Sequence, residues 1–276
     1  MPCYARRVDQ LEGRVDAGRT VAVSVDSRPE GRSIRGRVRR LSRALVGAPS
    51  YEATAADVST FRIAGLELPI RATTAVVVMV VVLLLDFHRD FMPEAFVFSR
   101  APDVMRVATL QRFILEGAIP FAVATLLFRD DPRRYGLRLG DWRAGIALAG
   151  VGTAVMLPIV IWAGHQPAFA SYYSPSGTDA GDLLVTNSLD VYASEFLFRG
   201  FLMFTLLRLV GPLGIVLAAV PFTFSHFGKP ELETVSTLLG GSIFGWLNWR
   251  TGSILYSATA HLAILTTVML AALGRI

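Results

Sequence analysis

Residues 144–164 read AGIALAGVGTAVMLPIVIWAG and carry no charged side chain. The hydrocarbon core of a bilayer is about 30 Å thick, so a helix rising about 1.5 Å per residue needs about 20 apolar residues to cross it. This stretch meets that requirement unaided. Membrane strands would show short segments of alternating polarity, whereas this run is long and continuous, so a helix is expected.

Six further apolar runs surround it: Ala72 to Phe87, Ile114 to Phe128, Leu183 to Leu209, Pro212 to Phe227, Leu232 to Trp249 and Ile254 to Leu273. The second of these is interrupted by Glu116 and Pro120, and the third contains Asp190, Glu195 and Arg199. Together they predict an all-α, polytopic transmembrane helix bundle of about seven spans over residues 66–276. Residues 1–65 form a separate, polar segment. Eleven arginines fall in the first 43 residues, a composition that cannot bury much apolar surface. It is read as a largely disordered or membrane-surface tail. Arg35, Arg39 and Arg43 repeat at helical spacing, which suits an amphipathic helix over 34–46 on an anionic membrane surface. A solvated basic tail accounts for them equally well.

The net charge of +5 comes almost wholly from arginine, with Lys229 the one lysine, a usage that suggests a GC-rich bacterial genome. Beside an apolar body, this charge reads as lipid-facing rather than as a nucleic-acid surface. The segment 129–143 is basic and 164–182 has neither Lys nor Arg. By the positive-inside rule the N-terminus is expected in the cytoplasm, in a bacterial inner membrane. Cys3 is the sole cysteine, which excludes an intrachain disulfide. The first long apolar run begins near residue 72, so no secretory leader is expected.

A charge inside an apolar span costs several kcal/mol unless it faces a protein interior and finds a partner. Glu195 and Arg199 are four apart, on one helix face, and are expected to pair. His226 ends the fifth run, and His261 lies within the seventh. One carboxylate and two imidazoles on three helices can hold a divalent metal or activate water directly. A proton or metal site of a small transporter would use the same groups. His88 and His165 lie at span edges and read as interfacial. Gly241 and Gly245, four apart in the sixth run, suggest close helix packing.

Glu195-Phe196-Leu197-Phe198-Arg199-Gly200-Phe201 resembles the first motif of the CPBP intramembrane proteases, which include the CAAX prenyl endopeptidases and bacterial proteins of bacteriocin processing and self-immunity. The family pattern is Glu-Glu-x-x-x-Arg, Phe-x-x-x-His, then His-x-x-x-Asn or Asp on successive helices. Phe222-x-x-x-His226 matches the second motif, and His261 the histidine of the third. The lead-in Tyr135-Gly136-Leu137-Arg138-Leu139 is also similar, so the resemblance covers about 130–273. It implies an endopeptidase acting on a membrane-associated peptide or protein. Glu195 would serve as base or ligand, Arg199 would hold it ionised, and His226 and His261 would bind metal or stabilise the oxyanion. Zinc or another divalent ion is one implied cofactor; glutamate and histidine can also work without one.

Two positions depart from the pattern. Ser194 stands where the family has its first Glu, the residue assigned to water activation, and Leu265 stands where it has Asn or Asp. A non-catalytic relative that binds a membrane partner is therefore the rival reading. Glu231 and Glu233 follow His226 and could replace the lost carboxylate if the chain folds back; a solvated loop is the plainer expectation. Ser194 as a nucleophile lacks a Lys or His at helical spacing, and Ser176 lacks the Gly-x-Ser-Gly context of a rhomboid protease.

Overall fold

A computed structural model of the chain describes residue 47 and residues 49–87, 108–174 and 180–276. The amphipathic stretch 34–46 and His88 lie outside these residues.

The described chain opens with a short helix, α1 (Ala55–Val58), and an antiparallel hairpin, β1 (Thr60–Ile63) with β2 (Leu66–Pro69). The remainder is helical. The long elements are α2 (Ile70–Phe87), α3 (Ala108–Leu127) and α4 (Trp142–Gly164), followed by the short α5 (Pro167–Tyr173). The fourth predicted run becomes α6 (Ala180–Glu195), a π-helical stretch (Phe196–Met203) and α7 (Phe204–Val210). Then come α8 (Leu213–Phe224), α9 (Glu231–Thr251) and α10 (Leu255–Ala272). A helix therefore stands at each of the seven predicted places.

Among the described residues, α2, α3, α4 and α10 are long and apolar enough to cross a membrane. α8 is apolar but spans 12 residues, and α6 carries Asp182 and Asp190 ahead of Glu195. Only 17% of an 18-residue apolar window of α4 is buried within the protein. Ile146, Val151, Val155, Ile159 and Trp162 all point outward from it. An apolar surface of that extent requires lipid rather than water against it. The chain is a multi-pass membrane protein.

Helix packing follows the small residues. At Gly245 a Cβ would come within 2.8 Å of Ile215 Cγ2, and at Gly241 within 3.1 Å of Phe222. The two glycines therefore let α9 lie close along α8, as their spacing predicts. Gly136 has φ +81° and follows the 3₁₀ turn Pro132–Tyr135. Its carbonyl accepts from the Ile254 amide at 3.1 Å, which fixes the loop before α4 against the start of α10.

Residues 51–63 make specific contacts with the helices. The Tyr51 hydroxyl donates to the Trp249 carbonyl at 2.6 Å. Asp57, 1% exposed, accepts from Arg71 at 2.9 Å, Arg134 at 2.7 Å and Arg208 at 3.2 Å. Arg71 also reaches Asp130, which accepts from the Tyr135 hydroxyl. A composition reading groups residues 51–63 with the arginines before them. It misses that Asp57 is the counter-ion for three arginines from three other segments.

Candidate active site

The centre of the bundle is polar where α6, the end of α8 and α10 meet. Glu195 is the last residue of α6 and is fully buried. Its Oε1 accepts from Arg199 Nη1 at 2.8 Å and lies 2.9 Å from His261 Nδ1, while Oε2 accepts from the Ser257 hydroxyl at 3.0 Å. The predicted ion pair is thus present. Arg199 also stacks on Phe222, with Cζ 3.7 Å from the ring centroid, so its second terminal nitrogen faces a π surface rather than a hydrogen-bond acceptor.

His261 is one turn beyond Ser257 on α10, so both side chains reach the same carboxylate. A carboxylate can only accept, so Nδ1 of His261 carries the proton and Nε2 is left to the cavity. His226 follows the end of α8. Its Nδ1 donates to the Phe222 carbonyl at 2.8 Å, and its Nε2 makes no hydrogen bond among the described residues. The Phe222 ring lies 4.5 Å from the His226 ring and 5.9 Å from the His261 ring, and it separates and orients the two.

Both imidazoles line a cavity of about 50 Å³, which has room for a few waters. Ser194 and Leu265, the two positions that depart from the family pattern, line it as well. Five further ionisable side chains do so from outside the predicted site: Asp86 of α2, Arg112 and Glu116 of α3, Asp190 of α6, and Lys229 of the loop after α8. Arg112 bridges Asp190 at 3.2 Å and Asp86 at 3.4 Å. Glu116 is 4% exposed and makes no hydrogen bond among the described residues.

The structure thus brings His226 and His261 to one cavity and places Glu195 and Arg199 behind His261. Glu195 does not line the cavity, and its oxygens are already engaged by Arg199, Ser257 and His261. That position suits orientation of an imidazole better than attack or ligation. For the same reason the donor set does not fit a zinc site. Among the described residues, no three His, Cys, Asp or Glu side chains are grouped to hold a metal ion. The Ser194 hydroxyl donates to the Val191 carbonyl at 3.1 Å, with no base beside it. Glu233 is taken up by the Tyr173 hydroxyl at 2.7 Å and by Lys229 at 3.0 Å, and Glu231 is exposed, so neither reaches the cavity. His165 is exposed and bonds back to the Ile161 carbonyl, apart from the site.

Residues 178–267 match the family described as type II CAAX prenyl endopeptidase Rce1-like. This segment is similar to the Rce1-like CAAX proteases, consistent with the CPBP type. It runs from the start of α6 to the middle of α10 and so contains Glu195, Arg199, His226, Ser257 and His261. Glu116 and Arg112 lie before the matched segment and come from the preceding helices. Comparisons with curated proteins and with solved structures give no match.

Ser257 and Glu116 were not singled out by motif. Ser257 could have been found as the residue four before His261, on its face of the helix. Glu116 could have been found as a carboxylate inside an apolar run.

Proposed function

We propose that this protein is an intramembrane endopeptidase that hydrolyses a peptide bond in a membrane-tethered peptide or protein, in the CAAX-protease manner of its family. One observation carries the reading. Two imidazoles have their Nδ1 atoms tied down, to Glu195 and to the Phe222 carbonyl, and line one small cavity, with no hydrogen bond at either Nε2 among the described residues. Fixing one ring nitrogen sets the tautomer and aims the other, which general acid–base chemistry needs.

In this reading a water in the cavity attacks the scissile carbonyl, held by His226 and His261. The Nε2 atoms can accept from that water and hold its oxygen toward the carbonyl carbon. Glu195 and Arg199 orient His261 rather than touch the substrate. Ser257 completes the set by occupying the second carboxylate oxygen. The cavity is too small to enclose a peptide, so the substrate strand would lie across its mouth. The Arg112–Asp86–Asp190 bridge offers polar contacts on one wall.

Ser194 and Leu265 at the cavity favour a second reading, a relative that binds its partner without cleaving it. One assay separates the two. The purified protein, reconstituted in liposomes, is incubated with a panel of fluorogenic membrane-anchored peptides that includes a farnesylated C-terminal peptide. Cleavage lost in His226→Ala and His261→Ala supports the protease. Binding of these peptides without cleavage by the wild type supports the non-catalytic relative.

A further inference from the structure

The cavity has two imidazoles but lacks the carboxylate that the family carries at the position of Ser194. Water attack on an amide needs a base for the water proton, and Glu195 cannot serve, since three donors hold it outside the cavity. Asp190 and Asp86 line the cavity, but both are drawn to Arg112. Glu233 is bound by Tyr173 and Lys229.

Glu116 differs from all of these. It is nine-tenths buried, lines the cavity with His226 and His261, and has no hydrogen-bond donor committed to it. Its helix is packed directly against the vacated position. A Cβ at Gly117 would lie 3.4 Å from Ala193 Cβ, the residue before Ser194. Helix α3 is π-helical from Phe113 to Ala118, around Glu116. The extra residue in such a turn rotates side chains away from a regular register, and π turns concentrate at functional sites. Arg112, one turn earlier, and Lys229 lie within electrostatic reach of it, yet no hydrogen bond among the described residues holds its carboxyl, and an intramembrane carboxyl left so is a functional candidate by default.

We propose that Glu116 supplies the water-activating carboxylate that Ser194 lacks, so that the general base has moved from α6 to α3. The proposal rests on the protease reading above. In the step it assigns, the water oxygen bonds to the scissile carbonyl carbon and one water proton passes to the Glu116 carboxylate. The carbon–nitrogen bond then breaks, and the same proton passes from Glu116 to the departing amine nitrogen. The products are a carboxylic acid and an amine, and Glu116 returns to its starting form. The small Ser194 side chain leaves the volume a glutamate would occupy, so a carboxyl can approach from the facing helix.

The test is a comparison of wild type, Glu116→Gln, Ser194→Glu and the double variant Glu116→Gln/Ser194→Glu, in liposomes, on a membrane-anchored fluorogenic peptide that the wild type cleaves. General-base removal is expected to lower kcat at least about a hundredfold with KM little changed. Restoring a carboxylate from the original side should raise the double variant at least about tenfold above Glu116→Gln. A purely structural Glu116 would not be rescued from position 194. Where Glu116→Gln loses its fold, Glu116→Asp replaces it, keeping the charge but withdrawing the carboxyl by one methylene. Its kcat should fall about tenfold or more, and an unchanged kcat would overturn the assignment. A wild type that cleaves and a folded Glu116→Gln that cleaves equally well would overturn the role of Glu116 alone. A wild type that cleaves nothing in the panel would overturn the protease reading and this assignment together.

Discussion

Replacing Arg199 with leucine tests the electrostatic centre of the bundle. Glu195 is fully buried and Arg199 is 2% exposed, so neither charge can be rescued by water. Removing one member of such a pair costs about 3–5 kcal/mol, because the survivor stays desolvated. Two features of the site act in opposite directions. Glu195 keeps its bonds from Ser257 and His261, which pulls the cost toward the lower end. The stacking of Arg199 on Phe222 is also lost, which adds about 1–2 kcal/mol. The net expectation is about 4 kcal/mol. At about 2–4 °C per kcal/mol for a chain of this size, the Tm should fall by about 8–16 °C. The assay is thermal unfolding of the detergent-purified variant, followed by loss of the monodisperse peak. Glu195→Gln alone and the double variant Glu195→Gln/Arg199→Leu complete a cycle. Directly paired charges should give a double variant milder than the sum of the singles by about 1–3 kcal/mol. A Tm within about 2 °C of wild type for Arg199→Leu, or strictly additive singles, would refute the reasoning.

Three further outcomes are expected. Asp57 lies outside the spans; burial alone would push its carboxyl up from 3.8, but the Thr54 amide and hydroxyl and the surrounding arginines hold it well below. Its stabilising contribution is therefore complete above about pH 4 and is lost as pH falls further toward its folded value. Detergent unfolding curves should show this acid loss, and Asp57→Asn should be weaker at neutral pH and less sensitive below pH 4. Ser257→Ala removes a buried hydroxyl from a carboxylate and should cost about 1.5–3 kcal/mol by the same unfolding assay; no change would show that the hydroxyl serves only the Ile254 carbonyl. A reporter fused near Arg134 should be cytoplasmic and one near Gly177 external, and the opposite pattern would reverse the orientation drawn from the arginines.

The seven apolar runs and the helical class were legible in the sequence because lipid demands an uninterrupted apolar length and internally satisfied backbone, and both are local properties. The Glu195–Arg199 pair was legible for a similar reason, since four residues on one helix share a face. The glycines of α9 likewise announced a close approach without naming the partner helix. Which carboxylate faces the cavity was not legible. Glu195 stands in a motif, yet Arg199, Ser257 and His261 converge on it from two helices and turn it into a support for an imidazole. Glu116 belongs to no motif, yet the packing of α3 against α6 sets it on the cavity that His226 and His261 also line. Asp57 reads as part of a disordered tail, and only the meeting of Arg71, Arg134 and Arg208 makes it a counter-ion. Spacing along one helix fixes which side chains share a face. Contacts between helices 60 to 150 positions apart depend on crossing angle and register, and those are decided by the packing of the whole bundle.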